Sequence, residues 1–300
     1  MDQHRRGIWL GVGAYVIWGL APVYWNLVDG ITELEILANR ILWALILLGV
    51  IVTVRRLWSR LRAVYASAAS IALSVIGAIL LAANWGTFIW AVTNDHIVDA
   101  SLGYFITPLV SVGLGVIVLR EHLRRAQWLA VAIAAGGVLW MTLALGTLPW
   151  VSLTLAFAFG FYGLIKKNPK AAPALEGLFG EVTVVALPAT VFVVASAFTG
   201  ESSLTEAPTT TMWLLGAGAI TVIPLLLFGS SAQLIPLSTV GLLQYLAPTL
   251  QLLVGLVIFG ESLNGPQIVG FIAVWIALAV FTRDQVITTK QRVGGPVVSS

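Results

Sequence analysis

The chain has 300 residues, of which 59% are hydrophobic and 10% charged, with no cysteine and a formal net charge of +3. No polar stretch exceeds a short loop or tail, which excludes a separate soluble domain, and the lack of cysteine excludes disulfides, thiolate chemistry and cysteine-ligated metal. The basic excess flanks apolar runs and so reports membrane topology and contact with anionic lipid headgroups; no nucleic-acid partner is expected.

Ten apolar spans follow in chain order: Gly7–Val28, Leu34–Val54, Ser70–Thr93, Asp99–Leu119, Ala126–Leu145, Pro149–Ile165, Gly177–Phe198, Met212–Leu234, Ser238–Phe259 and Gly265–Thr282. Their lengths match the roughly 20 helical residues needed to cross about 30 Å of hydrocarbon. The first is too long for a signal-peptide core and has no small-residue cleavage site, so it is read as a span. Arg5 and Arg6 precede it; Arg55, Arg56, Arg60 and Arg62 follow span two; Arg120, Arg124 and Arg125 follow span four; Lys166, Lys167 and Lys170 follow span six; Arg283, Lys290 and Arg292 follow span ten. The other loops hold acids and no Lys or Arg. The positive-inside rule then puts both termini and the even-numbered junctions in the cytoplasm.

The chain also repeats itself. A shift of 140 positions lays Leu102, Pro108, Gly115, Glu121, Leu123 and Gln127 on Leu242, Pro248, Gly255, Glu261, Leu263 and Gln267, and a shift of 141 lays Leu34-Glu35, Leu37 and Arg40 on Leu175-Glu176, Leu178 and Glu181. A five-span unit is odd, so its second copy crosses in the opposite sense. The expected fold is an all-α integral membrane bundle of ten transmembrane helices in two inverted five-helix repeats, residues 1–145 and 146–284, around a central cavity, with a disordered cytoplasmic tail over 285–300. That architecture belongs to secondary transporters, which bind substrate between the halves and open to alternate sides.

Spans four and nine carry polar stripes. Ser101, Tyr104, Pro108 and Ser111 share one helical face, as do Gly241, Gln244, Pro248 and Gln251. Such a face points into the bundle or a cavity. Tyr104, Gln244 and Gln251 are too large for a tight small-residue seam, which favours cavity lining, although a packing seam is the alternative. Pro108 and Pro248 each deprive one carbonyl of its helical donor and permit a kink. Trp18 in span one, and Asn84, Trp85 and Phe88 in span three, form a second group in which rings either line a cavity or pack. Arg40 is the one cation inside a span, and its counterpart Glu181 lies near the opposite surface. Each either anchors a gate on its own side or makes a static polar contact. Glu176 and Glu181 are the span carboxylates that could titrate in a proton cycle. The three histidines lie outside the spans, and no zinc-protease motif, intramembrane aspartate pair or phosphate-binding loop occurs. Neither an enzyme nor a cofactor is expected.

Trp18-Gly19, Tyr162-Gly163 and the Pro108…Glu121 and Pro248…Glu261 pattern resemble the EamA-type drug/metabolite transporters. Glu35 to Trp43, Ser101-Leu102-Gly103-Tyr104-Phe105 and Leu242-Leu243-Gln244-Tyr245 resemble its RarD branch, named for chloramphenicol sensitivity. The resemblance implies a permease of the bacterial inner membrane moving a small-molecule substrate, and it adds Tyr162 to the cavity-lining candidates. A channel or a non-transporting scaffold is the alternative. Import or export, proton coupling and oligomeric state, a monomer included, stay open.

Overall fold

The computed structural model describes residues 2–28, 31–94, 96–145, 150–199, 208–260 and 265–293. Their regular structure is helical: α1 (Gln3–Trp25), α2 (Glu33–Val54), α3 (Trp58–Tyr65), α4 (Ala68–Thr93), α5 (Ile97–Ile117), α6 (Arg125–Leu145), α7 (Trp150–Lys166), α8 (Ala174–Thr199), α9 (Pro208–Leu234), α10 (Leu237–Gln244), α11 (Leu246–Val257) and α12 (Gly265–Val293). Eight stretches are long and apolar enough to cross a membrane: α1, α2, α4, Asp99–Ile117, Arg125–Ala144, Ala174–Phe198, Met212–Leu234 and Leu237–Val257. Val54, Ile117, Leu143, Leu187, Val191, Phe198 and Val257 stand exposed on them, a surface suited to lipid and not to water. This is an all-helical, multi-pass membrane protein. α7 is a shorter apolar helix of 17 residues, about 25 Å long at about 1.5 Å per residue.

Local sequence sets the helix ends. Asp2 accepts from the His4 N–H before α1. Thr32 caps α2, with the Glu35 N–H donating to Thr32 Oγ1 and that hydroxyl donating to Glu35 Oε2. Gln127 in the first turn of α6 reaches back to accept from the Arg124 N–H at 2.8 Å. α5 ends through Arg120 at φ +54° and α11 ends through Gly260 at φ +68°, the left-handed residue that closes a helix C-terminus. These two positions are 140 apart, the same offset as the repeat.

Three features differ from the expected spans. A short helix, α3, occupies the basic junction after span two; Trp58, Leu61 and Tyr65 fall on one of its faces. The ninth span is divided at Tyr245, because Pro248 cannot donate to the Gln244 carbonyl one turn back. α5, by contrast, is continuous through Pro108. Finally, α12 continues past Thr282 to Val293, since the next helix breakers are Gly294, Gly295 and Pro296; the rest of the expected tail lies outside the described residues.

Packing brings α1 against α9 and α11, α2 against α8 and α9, α4 against α7 and α8, α5 against α7 and α10, and α6 against α12. Small residues allow the close approaches. A Cβ on Gly19 would lie 2.5 Å from Leu250 Cβ, and one on Gly137 would lie 2.6 Å from Ala273 Cβ, so larger side chains there would separate α1 from α11 and α6 from α12.

Candidate functional site

Polar side chains gather at two ends of the bundle, and the two gatherings differ in kind. The first forms where α7 ends and α8 begins. Tyr162 and Lys166 sit one turn apart on α7 and meet Glu181 of α8. Lys166 Nζ lies 2.5 Å from Glu181 Oε1, with side-chain exposures of 3% and 2%. The Tyr162 hydroxyl donates to Glu181 Oε2 at 2.9 Å, and Lys166 Nζ stands 4.8 Å from the Tyr162 ring centroid. Gly77 of α4 leaves the space for Glu181, since a Cβ there would lie 2.8 Å from Glu181 Oε1. A void of about 10 Å³ beside the pair is lined by Ser74, Lys166, Gly177 and Glu181 among others.

Around this pair the end is closed by further polar contacts. Arg60 Nε reaches Glu176 Oε1 at 2.6 Å. The Tyr65 hydroxyl donates to the Glu176 carbonyl at 2.8 Å and meets Ser74 Oγ at 3.0 Å. Burial pushes the Tyr65 hydroxyl above its ordinary range, keeping it a neutral donor. Glu121 caps α10, its two carboxylate oxygens accepting from the Leu237 and Ser238 N–H groups at 2.6 and 2.8 Å; an anion at a helix N-terminus is favoured by the helix dipole as well. Lys167 Nζ donates to the Ile235 carbonyl at 2.7 Å. Burial lowers the Lys167 pKa, against the opposing pull of Glu121.

The second gathering joins the end of α1, the first half of α2, α4 and α5. The Arg40 guanidinium lies 4.5 Å from the Trp85 ring centroid and 5.8 Å from that of Trp25. Tyr104 is close enough to interact with it electrostatically, and the Tyr104 ring meets Phe88 at 6.1 Å. Arg40 Nε is buried and has no hydrogen-bond partner. All five side chains are half-buried. A charge at the centre of a span costs about 2.5–3.5 kcal/mol even on the mildest insertion scale, and each ring contact returns about 0.5–2 kcal/mol.

The remaining sequence candidates lie between the two ends. Trp18 packs in an aromatic cluster with Tyr15, Phe159 and Phe228 at centroid distances of 5.6, 5.6 and 5.9 Å. Phe228 stacks in turn on Tyr162. Asn84 is buried and donates to the Leu155 carbonyl at 3.1 Å, fastening α4 to α7. Ser111 donates to Gln244 Oε1 at 3.0 Å, which links α5 to α10 beside Pro108. Gln251 Nε2 donates to the Trp18 carbonyl at 3.1 Å. Thus Arg40, Trp85, Phe88 and Tyr104 come together, Tyr162 and Glu181 come together, and Glu176 stands close to the latter pair through Tyr65. Among the described residues, no group of three or more His, Asp or Glu could hold a metal ion.

Sequence reasoning missed Lys166, Arg60, Tyr65 and Trp25 as site residues. Lys166 reads as a topology cation and Trp25 as part of the interfacial belt. The signal that could have found them is spacing: Tyr162 and Lys166 are four apart, and Trp25 shares a face of α1 with Trp18.

Comparison with known proteins agrees with this architecture. The pattern of the EamA-like transporter family matches residues 5–143. Protein RarD of Streptomyces exfoliatus is 42% identical over 291 residues, covering 97% of this chain and 92% of that one. A protein of Pseudomonas aeruginosa named as an uncharacterized transporter is 42% identical over 285 residues, covering 93% of this chain and 94% of its own. A solved chain described as "Crystal structure of protein" shares the fold with a TM-score of 0.71 at 17% identity, covering 92% of this chain and 97% of that one. The chain belongs to the EamA-like transporter family, as a multi-pass membrane protein homologous to bacterial RarD.

Proposed function

We propose that the chain is a secondary transporter that moves a small metabolite or drug-like molecule across the bacterial inner membrane by alternating access. In this reading it spans the membrane ten times in two inverted halves, 1–145 and 146–284, with both termini in the cytoplasm. Three observations support the inverted halves. The helix pairings exchange consistently when the halves are swapped: α1 with α9 answers α7 with α4, α2 with α9 answers α8 with α4, and α5 with α7 answers α11 with α1. The left-handed turns at Arg120 and Gly260 keep the repeat offset, as do the starts of α6 and α12 at 125 and 265. The family pattern, moreover, spans 5–143, ending near the proposed boundary between the halves.

The observation that carries the transport reading is the contrast between the two ends. Lys166, Glu181, Glu176 and Tyr162 are buried, whereas Arg40, Trp25, Trp85, Phe88 and Tyr104 are half-buried. The charged pair at one end is buried and the ring-flanked cation at the other is half-buried, the asymmetry expected of a transporter closed toward the cytoplasm. Lys166–Glu181 is the inner gate. Opening it exposes Glu181 and Lys166 to water. Replacing Phe88 and, separately, Ser74 by cysteine tests the reading. A transported substrate should change the labelling rates of the two thiols in opposite directions, because a ligand shifts an equilibrium only through unequal affinity for its states. Parallel changes would instead indicate a channel or a static scaffold.

A further inference from the structure

We propose that Arg40, held under Trp85 and Trp25 and beside Tyr104, is the anchor for a carboxylate on the transported molecule, so that the substrate class is a small organic carboxylate with an apolar body. The proposal rests on the transport reading and narrows it. Arg40 of α2 and Lys166 of α7 stand at opposite ends of the bundle, and they are treated differently. Lys166 has Glu181 at 2.5 Å. Arg40 has ring faces only: no carboxylate among the described residues is ion-paired to it, and its Nε is buried without an acceptor.

The guanidinium carbon stands over the Trp85 and Trp25 rings at 4.5 and 5.8 Å, and its buried Nε has no acceptor. A fork of two guanidinium N–H donors matches the two oxygens of a carboxylate, so an anion supplies the acceptor that the rings cannot. Phe88, packed on Tyr104 at 6.1 Å, supplies an apolar wall for the rest of the molecule. The five side chains come from α1, α2, α4 and α5, all within the first half, and all remain partly open. A cation with unused donors, surrounded by rings and reachable from one end, recognises an anion in preference to an amine or a neutral amide.

The test uses purified full-length protein in lipid nanodiscs and radiolabelled benzoate as probe, with benzamide and benzylamine as competitors and with hexanoate and acetate as further carboxylates. Benzoate should bind, and hexanoate should displace it while benzamide and benzylamine do not. Arg40→Lys should weaken binding about tenfold or more, because a point charge replaces a two-pronged donor, and Arg40→Gln should abolish it. Trp85→Leu, which keeps the charge, separates loss of the site from loss of the fold: it should weaken binding while the protein elutes as the wild type does. Equal displacement by benzamide or benzylamine, wild-type affinity in Arg40→Gln, or no binding of any of the three carboxylates overturns the proposal. The two failures are distinguishable. Opposite labelling changes at Phe88→Cys and Ser74→Cys driven by a non-carboxylate would refute the anion site and keep the transporter; benzoate binding with parallel labelling changes would do the reverse.

Discussion

Glu181→Gln is the most informative single change. It removes the charge partner of a Lys166 that is only 3% exposed, while the new amide oxygen can still accept from Tyr162. Breaking a buried pair on one side costs about 3–5 kcal/mol, since the other charge stays desolvated and uncompensated. The Tyr162 ring, 4.8 Å from Lys166 Nζ, offsets about 1 kcal/mol of this. The inner-closed state should therefore lose about 2–4 kcal/mol relative to any state in which Lys166 reaches water. At about 1.4 kcal/mol per tenfold, that shifts the equilibrium between roughly thirtyfold and several hundredfold toward the inner-open form. The assay is the alkylation rate of Ser74→Cys, which lines the void beside the pair, in the Glu181→Gln and native backgrounds. Adding Lys166→Met to Glu181→Leu should restore slow alkylation while transport stays lost, because well-packed apolar replacements of a buried pair are neutral or stabilising. An unchanged alkylation rate in Glu181→Gln would refute the gate and leave the pair as fixed packing.

The other expectations are independent of one another. Gly77→Ala puts a methyl 2.8 Å from Glu181 Oε1, so it should speed Ser74→Cys alkylation in the same direction as Glu181→Gln but by less, the carboxylate being the mobile end of a side chain. Gln244→Ala and Gln251→Ala should each lower transport with little loss of inserted protein, since an interhelical hydrogen bond in a bundle contributes about 0.6–1.7 kcal/mol; immunoblots showing abundance falling in step with transport would return these residues to packing. Cysteines at Asn26 and Lys170, both exposed, should react with an impermeant reagent from outside and from inside respectively, and labelling of both from one side contradicts the proposed orientation.

Much of the fold was legible because it follows from one quantity, the length of apolar chain between charges, and because the repeat offset reappears in the turns at Arg120 and Gly260. The break at Tyr245 was not legible from Pro248, because the equivalent Pro108 sits inside a continuous α5. What the sequence could not give is which helix faces which across a distance. Lys166 reads as one of three junction lysines until α7, α8 and the notch at Gly77 bring it onto Glu181. α3 is eight residues long, too short for a hydropathy signal, and it shows only in the spacing of Trp58, Leu61 and Tyr65. The polar stripes of spans four and nine were visible as faces, yet their partners were not: Gln244 found Ser111 and Gln251 found the Trp18 carbonyl, contacts that depend on the angle between helices.

The two ends also show why a transporter would use unlike chemistry on its two sides. A buried Lys–Glu pair is a poor source of net stability, because desolvation of both charges nearly cancels their attraction. That near-cancellation is what a gate needs: the pair holds its geometry when dry, yet loses little when water enters and solvates both groups, so opening costs a few kcal/mol and not tens. A lone cation under aromatic rings behaves otherwise. Its ring contacts reduce the penalty of burial but leave Nε without an acceptor, so at the proposed site an arriving anion removes the deficit. In the proposed cycle, binding at Arg40 relieves a cost already present in the empty protein, and the energy released there is available to be set against the opening of Lys166–Glu181 at the far end. Coupling of this kind requires that the two sites share helices, and they do: α4 carries Trp85 and Phe88 at one end and Gly77 and Ser74 at the other, so a tilt of that one helix alters both.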